Sequence, residues 1–162
     1  MSQPIQLAFL WHMHQPLYRV GNEHVCTMPW VRMHSIRSYY DMVRVLEEFP
    51  KAHVTINLVP SLIEQIRAYE SGASDLFWET GAIPAEALSD EQKRFVFQNF
   101  FTAQEHHMIR PLPAFARLFE RRKDALHARG ETDAWQAFDT QDYRDLQAVF
   151  DLCWFGFMAC ED

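Results

Sequence analysis

The chain has 162 residues, of which 48% are hydrophobic, and a formal net charge of −7 at pH 7. This length suits one ordinary domain, and the hydrophobic share is ample for a core, which excludes an intrinsically disordered chain. The negative charge argues against a nucleic-acid groove, because such a groove concentrates Lys and Arg against phosphates. No apolar run approaches the roughly 20 residues of a membrane-spanning helix, and the first residues lack the pattern of a signal peptide. We therefore expect a cytoplasmic protein with no nucleic-acid or membrane partner.

Strand and helix patterns alternate over the first 72 residues. The short apolar run that begins the series is bounded by Pro4 and Pro16 and is typical of a strand buried on both faces. The predicted elements are a strand at Ile5–Trp11, a loop over 17–31 that contains Gly21 and Asn22, a helix at Ser35–Phe49, a strand at His53–Val59, and a helix from Pro60 closed by Gly72. The alternation predicts parallel strands with crossover helices, and hence an α/β sheet or barrel.

The sequence after Gly72 is helical in character. Ser89 followed three residues later by Gln92 predicts a capping box that opens a helix reaching about Ile109. Two further helices are predicted, one that follows the break at Pro111 and Pro113 and reaches about Arg129 and one from near Thr140 to about Phe157, and no strand is expected after residue 59. The domain prediction is therefore one partial domain, 1–162, with two βα units over 1–72 and a helical region over 73–162. Two parallel strands cannot close a barrel, which needs about eight strands. We therefore expect the chain to be a piece of a longer fold or to need a partner that covers its exposed faces.

Two histidines stand at the end of the first predicted strand, in "LWHMHQP". Side chains on a strand alternate between faces, so His12 and His14 share one face and lie two rises, about 6.5 Å, apart. They also occupy the carboxyl end of the strand, where parallel α/β folds bind their ligands.

The sequence leaves three interpretations of this pair open. The histidines could be structural, or they could bind a metal, although zinc needs three or four ligands and no recognisable spacing supplies the others. Those others would come from His24, His34, His53 or the run Glu105–His107. The third interpretation is a hydroxyl-rich ligand, since imidazole and amide groups both donate and accept hydrogen bonds, and Trp30 and nearby tyrosines offer stacking faces.

The stretches "FLWHMHQP", "PWVRMHSIRSYYDM" and "VTINLVPSLIEQI" closely resemble the N-terminal part of glycoside hydrolase family 57. The later stretches "RFVFQNFF", "MIRPLPAF" and "DLQAVFDLCWFG" fit the same pattern, so the resemblance covers nearly the whole chain. It implies an α/β fold that is the N-terminal portion of an incomplete (β/α)7 barrel, with a helical insertion after two strands. It also implies substrates that are α-glucans, and the residues expected at the sugar are His12, His14, Gln15, Trp30, His34 and Asn57.

The catalytic carboxylates of that family have no counterpart here. The resemblance implies a retaining mechanism in which a Glu nucleophile and an Asp acid/base stand about 5 to 5.5 Å apart. Both belong to later strands, whereas the glutamates of this chain, such as Glu64 and Glu105, fall on predicted helices. We therefore expect a retaining glycosidase segment that binds sugar but is inactive alone, whose partners are an α-glucan or maltooligosaccharide and the remainder of the enzyme.

We expect no cofactor and no metal. The alternative functions are a non-catalytic carbohydrate-binding or assembly module and, less favoured, a metal-dependent deacetylase-like protein. In the latter, His12 and His14 would bind the metal together with an Asp, and no Asp stands beside them in the sequence.

Overall fold

The structure is a computed structural model that describes residues 5–19, 21 and 24–161, so the features predicted at Pro4 and Asn22 lie outside the described residues. The chain forms two compact units, one of Met1–Ser74 with Gly156–Asp162 and one of Asp75–Phe155. In the described part of the chain no helix combines the length and the apolar character needed to cross a membrane.

The first unit is built around a two-stranded parallel sheet. Its elements, in chain order, are β1 (Leu10–Met13), β2 (Val25–Cys26), α1 (Trp30–His34), a π-helical turn (Ser35–Tyr39), α2 (Tyr40–Glu48), β3 (Thr55–Leu58), α3 (Pro60–Glu70) and, at its end, the first residue of β4 (Ser74–Asp75). β1 and β3 run parallel with Leu10 opposite Thr55 and His12 opposite Asn57. This confirms the predicted parallel pair, because the helices between the strands return the chain to the same end of the sheet.

Several predicted bounds in this unit are wrong. β1 begins at Leu10 and not Ile5, and the predicted loop over 17–31 contains β2 and the start of α1. The helix predicted at Ser35 begins at Trp30, and the prediction of no strand after residue 59 fails at β4. The short strands were missed because two residues carry no periodicity. Within this unit the Ser74 N–H donates to the His24 carbonyl at 2.9 Å.

The core of the first unit lies on one face of the sheet. Met13, Val31 and Leu62 are buried together, with Ile56 and Ile66 among the residues packed against them. The prediction that the first strand is buried on both faces is wrong: Leu10 is 65% exposed, and His12, Thr55 and Asn57 are exposed with it. Partner residues of parallel strands point the same way, so these four side chains form one open face.

The last described residues return to the first unit. Asp41 on α2 accepts hydrogen bonds from the backbone N–H groups of Phe157 and Met158, at 2.8 and 3.1 Å. Gly156 lies so close to the π-helical turn that precedes α2 that a Cβ there would stand 2.6 Å from the Arg37 carbonyl oxygen. Only glycine allows this approach.

The second unit is helical and has an aromatic core. Its elements are α4 (Leu76–Gly81), a 3-10 turn (Ala85–Ala87), α5 (Asp90–Asn99), a π-helical turn (Glu105–Ile109), α6 (Pro113–Asp133), a second 3-10 turn (Ala134–Ala137) and α7 (Thr140–Leu152). The capping box predicted at Ser89 and Gln92 is confirmed. The helix it opens ends at Asn99 rather than near Ile109. Phe77, Phe100 and Phe150 stack with ring centroids 4.6–5.9 Å apart, and stacked aromatic rings stabilise a core beyond the area they bury.

Candidate functional site

His12 and His14 project from the open face at the carboxyl end of β1. Their rings are stacked, with centroids 5.5 Å apart and planes 10° from parallel. This confirms that the two side chains share a face. Both are exposed, and Asn57, the partner of His12 across the sheet, is exposed beside them. Three side chains that can donate and accept hydrogen bonds therefore stand at one edge of the sheet.

Gln15 lies on the buried side of the same strand end. Its Nε2 donates to the Tyr39 hydroxyl at 3.2 Å, and its Oε1 accepts from the Tyr18 hydroxyl at 3.0 Å. The Tyr39 hydroxyl donates in turn to the His14 carbonyl at 3.2 Å. Burial, and then the neighbouring Tyr39, raise the pKa of Tyr18 above its usual 10.0. Gln15 is thus joined to the site through two tyrosines.

The chain that follows His14 is held by α3. The Ser61 hydroxyl donates to the Gln15 carbonyl at 2.8 Å. Gln65 donates from Nε2 to the Pro16 carbonyl at 2.8 Å and accepts at Oε1 from the Tyr18 N–H at 2.8 Å. Pro60 opens α3, which suits a position whose N–H has no helical partner.

His34 approaches the network from α1. Its ring centroid lies 6.2 Å from that of Tyr39. Burial, and then the Arg37 guanidinium, lower the pKa of His34 below 6.5. Trp30 is half-buried and lies one helical turn before His34, on the same helix face. The structure thus brings His14, Gln15 and His34 together around Tyr39, with His12 stacked on His14 and Asn57 opposite His12 on β3.

Sequence reasoning missed the side chains that support the site, which are Tyr18, Tyr39, Ser61 and Gln65. One signal was present: Gln65 occupies the buried phase of α3, in the series Leu62, Gln65, Ile66 and Tyr69. A polar residue at a core phase of a helix indicates a buried hydrogen-bonding role. Tyr39 could not have been found in the same way, because the π-helical turn that carries it changes the phase of the helix.

The open face, which His14 extends just beyond the end of β1, carries no carboxylate among the described residues, since its members are Leu10, His12, His14, Thr55 and Asn57. No group of three or more metal-ligating His, Cys, Asp or Glu side chains is present in the described ranges. Such an arrangement can bind hydroxyl groups through several hydrogen bonds. Retaining glycoside hydrolysis needs two carboxylates, and the described residues of this face supply neither.

Comparison with known protein families shows to which family the chain belongs. The model of glycosyl hydrolase family 57 matches residues 8–158. This chain belongs to that family. No curated protein and no solved structure matches it. Membership in family 57 supports a glycosidase-type function and a carbohydrate substrate, and the α/β content of the first unit agrees with it.

Proposed function

We propose that this family 57 chain binds α-glucan in a retaining glycoside hydrolase, while the catalytic Glu and Asp come from outside its 162 residues. The observation that carries the proposal is the stacked pair His12 and His14 beside Asn57, on a face without a carboxylate among the described residues. Gln15, His34 and Trp30 complete the proposed sugar site, Gln15 through its bonds to the tyrosines.

The parallel β1–β3 pair supports a place in an incomplete barrel. Parallel sheets are normally covered on both faces, and in the described part of the chain the core packs on the face of Met13 and Ile56. In a barrel the other face would line the interior, at the end of the strands where such folds bind substrate. His12, His14 and Asn57 would then face the sugar. A cytoplasmic location remains a prediction from the sequence.

The test is titration of the 162-residue chain with maltoheptaose by calorimetry, with a reducing-sugar assay alongside. We expect saturable binding and no hydrolysis. A typical hydrogen bond contributes about 0.5–1.5 kcal/mol, so His14→Ala is expected to weaken binding by about 2- to 10-fold for each bond lost.

His53→Ala is the matched control. His53 is an exposed histidine just before the amino end of β3, whereas Asn57 and Leu58 lie at its carboxyl end. Its removal should therefore leave the affinity unchanged. Equal effects of the two variants would refute the assignment of the site to His14. Hydrolysis that is lost in His14→Ala would show that an acid/base pair exists within this chain.

The alternative of a non-catalytic binding module makes a different physical prediction. Leu10 and Leu58 are at least half exposed, and exposed apolar strand residues promote association. A monodisperse chain whose affinity for maltoheptaose does not change when the remainder of a family 57 enzyme is added favours the module. Aggregation that is suppressed by the remainder of a family 57 enzyme favours the enzyme segment.

A further inference from the structure

Gln65 makes an unusual set of contacts for a buried residue. It is 0% exposed, and its amide spans the segment that follows the histidines. Nε2 donates to the Pro16 carbonyl and Oε1 accepts from the Tyr18 N–H, both at 2.8 Å. A residue on a neighbouring parallel strand bonds the same pair of groups, a carbonyl and the N–H two residues later. The side chain therefore takes the place of a strand partner just after β1 ends at Met13.

We propose that Gln65 is a positioning residue for the histidine pair, an inference that rests on the sugar site proposed above. The carbonyls of Gln15 and Pro16 and the N–H of Tyr18 are all bonded by side chains of α3, the first of them by Ser61. Pro16 itself has no N–H, so these groups determine the path of the chain there. The backbone after His14 is thereby fixed, and with it the direction of the imidazole.

Packing alone does not account for an amide at this position. A buried amide costs free energy unless it is hydrogen-bonded, and an apolar side chain would fill the same space without that cost. The neighbouring core positions of α3 do use apolar side chains, Leu62 and Ile66. Both polar atoms of the Gln65 amide form hydrogen bonds to the segment after β1, and Nε2 also donates to the Ser61 carbonyl at 2.9 Å. The geometry of the segment is what the amide provides.

The experiment replaces Gln65 with methionine in the full 162-residue chain, which removes the amide and keeps the length of the side chain. Two measurements need no sugar: the exchange rate of the Tyr18 amide hydrogen, and the imidazole resonances of His12 and His14 by NMR. We expect the Tyr18 amide to exchange about 5- to 10-fold faster, as loss of one hydrogen bond implies. We also expect the His14 resonances to shift and maltoheptaose affinity to fall by a similar factor.

Ile66→Ala is the matched control, because it removes an apolar contact from the next residue of α3. It should lower stability while leaving the His14 resonances and Tyr18 exchange in place. Ser61→Ala is the second variant if Gln65→Met does not fold, and it should move the same resonances. Unchanged His14 resonances in a folded Gln65→Met or Ser61→Ala chain would overturn the proposal, as would equal shifts in Ile66→Ala.

The sugar titration separates this inference from the proposed function. If the unmodified chain binds no maltoheptaose and Gln65→Met still shifts His14, the sugar assignment is wrong and the positioning role stands. If the chain binds maltoheptaose and Gln65→Met leaves both the affinity and the resonances unchanged, the sugar site stands and the positioning role is wrong.

Discussion

The two faces of the β1–β3 sheet come from the same eight residues but have opposite surroundings. Met13 is 3% exposed and packs with Val31 and Leu62, whereas Leu10 on the other face is 65% exposed. His12 and Asn57 share the face of Leu10. Because alternate residues of a strand point to opposite sides, one short strand contributes to the core and to the site at once.

We therefore expect alternate residues of the strand to have different roles, one set in stability and the other in binding. Gln15 lies two residues after Met13 and is buried like it, as strand alternation requires. His14 lies two residues after His12 and is exposed like it. Substitutions on the buried side should change the free energy of unfolding. Those on the open side should change binding and leave unfolding nearly unaltered.

The largest expected effect is that of Met13→Ala. Deleting most of a buried Met side chain leaves a cavity and should lower the free energy of unfolding by about 2–5 kcal/mol. Leu10→Ala is the control on the open face and should change it by no more than about 0.5 kcal/mol. Urea denaturation followed by circular dichroism measures both. Similar losses in the two variants would mean that the open face is covered in solution.

A smaller effect is expected for Tyr39→Phe, which tests the connection between the two sides. Tyr39 bonds buried Gln15 and the backbone of exposed His14, so loss of its hydroxyl should cost about 0.5–1.5 kcal/mol and also move the His14 resonances. Tyr40→Phe, at the adjacent and exposed position, is the comparison variant. If Tyr39→Phe lowers stability and leaves His14 unmoved, the two sides act independently.

The same alternation determines how far the sequence could be read. The parallel pair, α3 from Pro60 and the capping box at Ser89 follow from local signals, and all three are confirmed. The shared face of His12 and His14 follows from the two-residue period of a strand and is confirmed as well. What a strand faces is not a local property. The apolar run that begins at Ile5 therefore predicted burial on both faces, and the structure contradicts it at Leu10.

The supporting network was out of reach for a related reason. The bonds from Gln65 to Pro16 and Tyr18 join positions 49 and 47 residues apart in the sequence. No periodicity reports a contact of that separation. The spacing of His12 and His14 left a hydroxyl-rich ligand as one of three interpretations. The assignment of all six residues to a sugar came from family resemblance, and their roles stay predictions. The polar residue at a core phase of α3 was the one local sign of the network.

The smallest expected effect concerns His34, whose ring lies near Tyr39 on the buried side of the network. Burial and then Arg37 lower the pKa of His34 in the folded chain below its usual 6.5. Between the two pKa values the unfolded chain binds the proton and the folded chain does not. The free energy of unfolding therefore rises with pH across that window. The stability gained when His34 loses its proton is fully present above about pH 6.5.

His34→Gln should reduce this rise of the free energy of unfolding with pH, measured by urea denaturation at intervals between pH 5 and pH 7.5. Other histidines contribute equally to both chains, so the difference between the two curves isolates His34. Parallel curves of unfolding free energy against pH for the two chains would mean that His34 is in contact with water, like the residues of the open face.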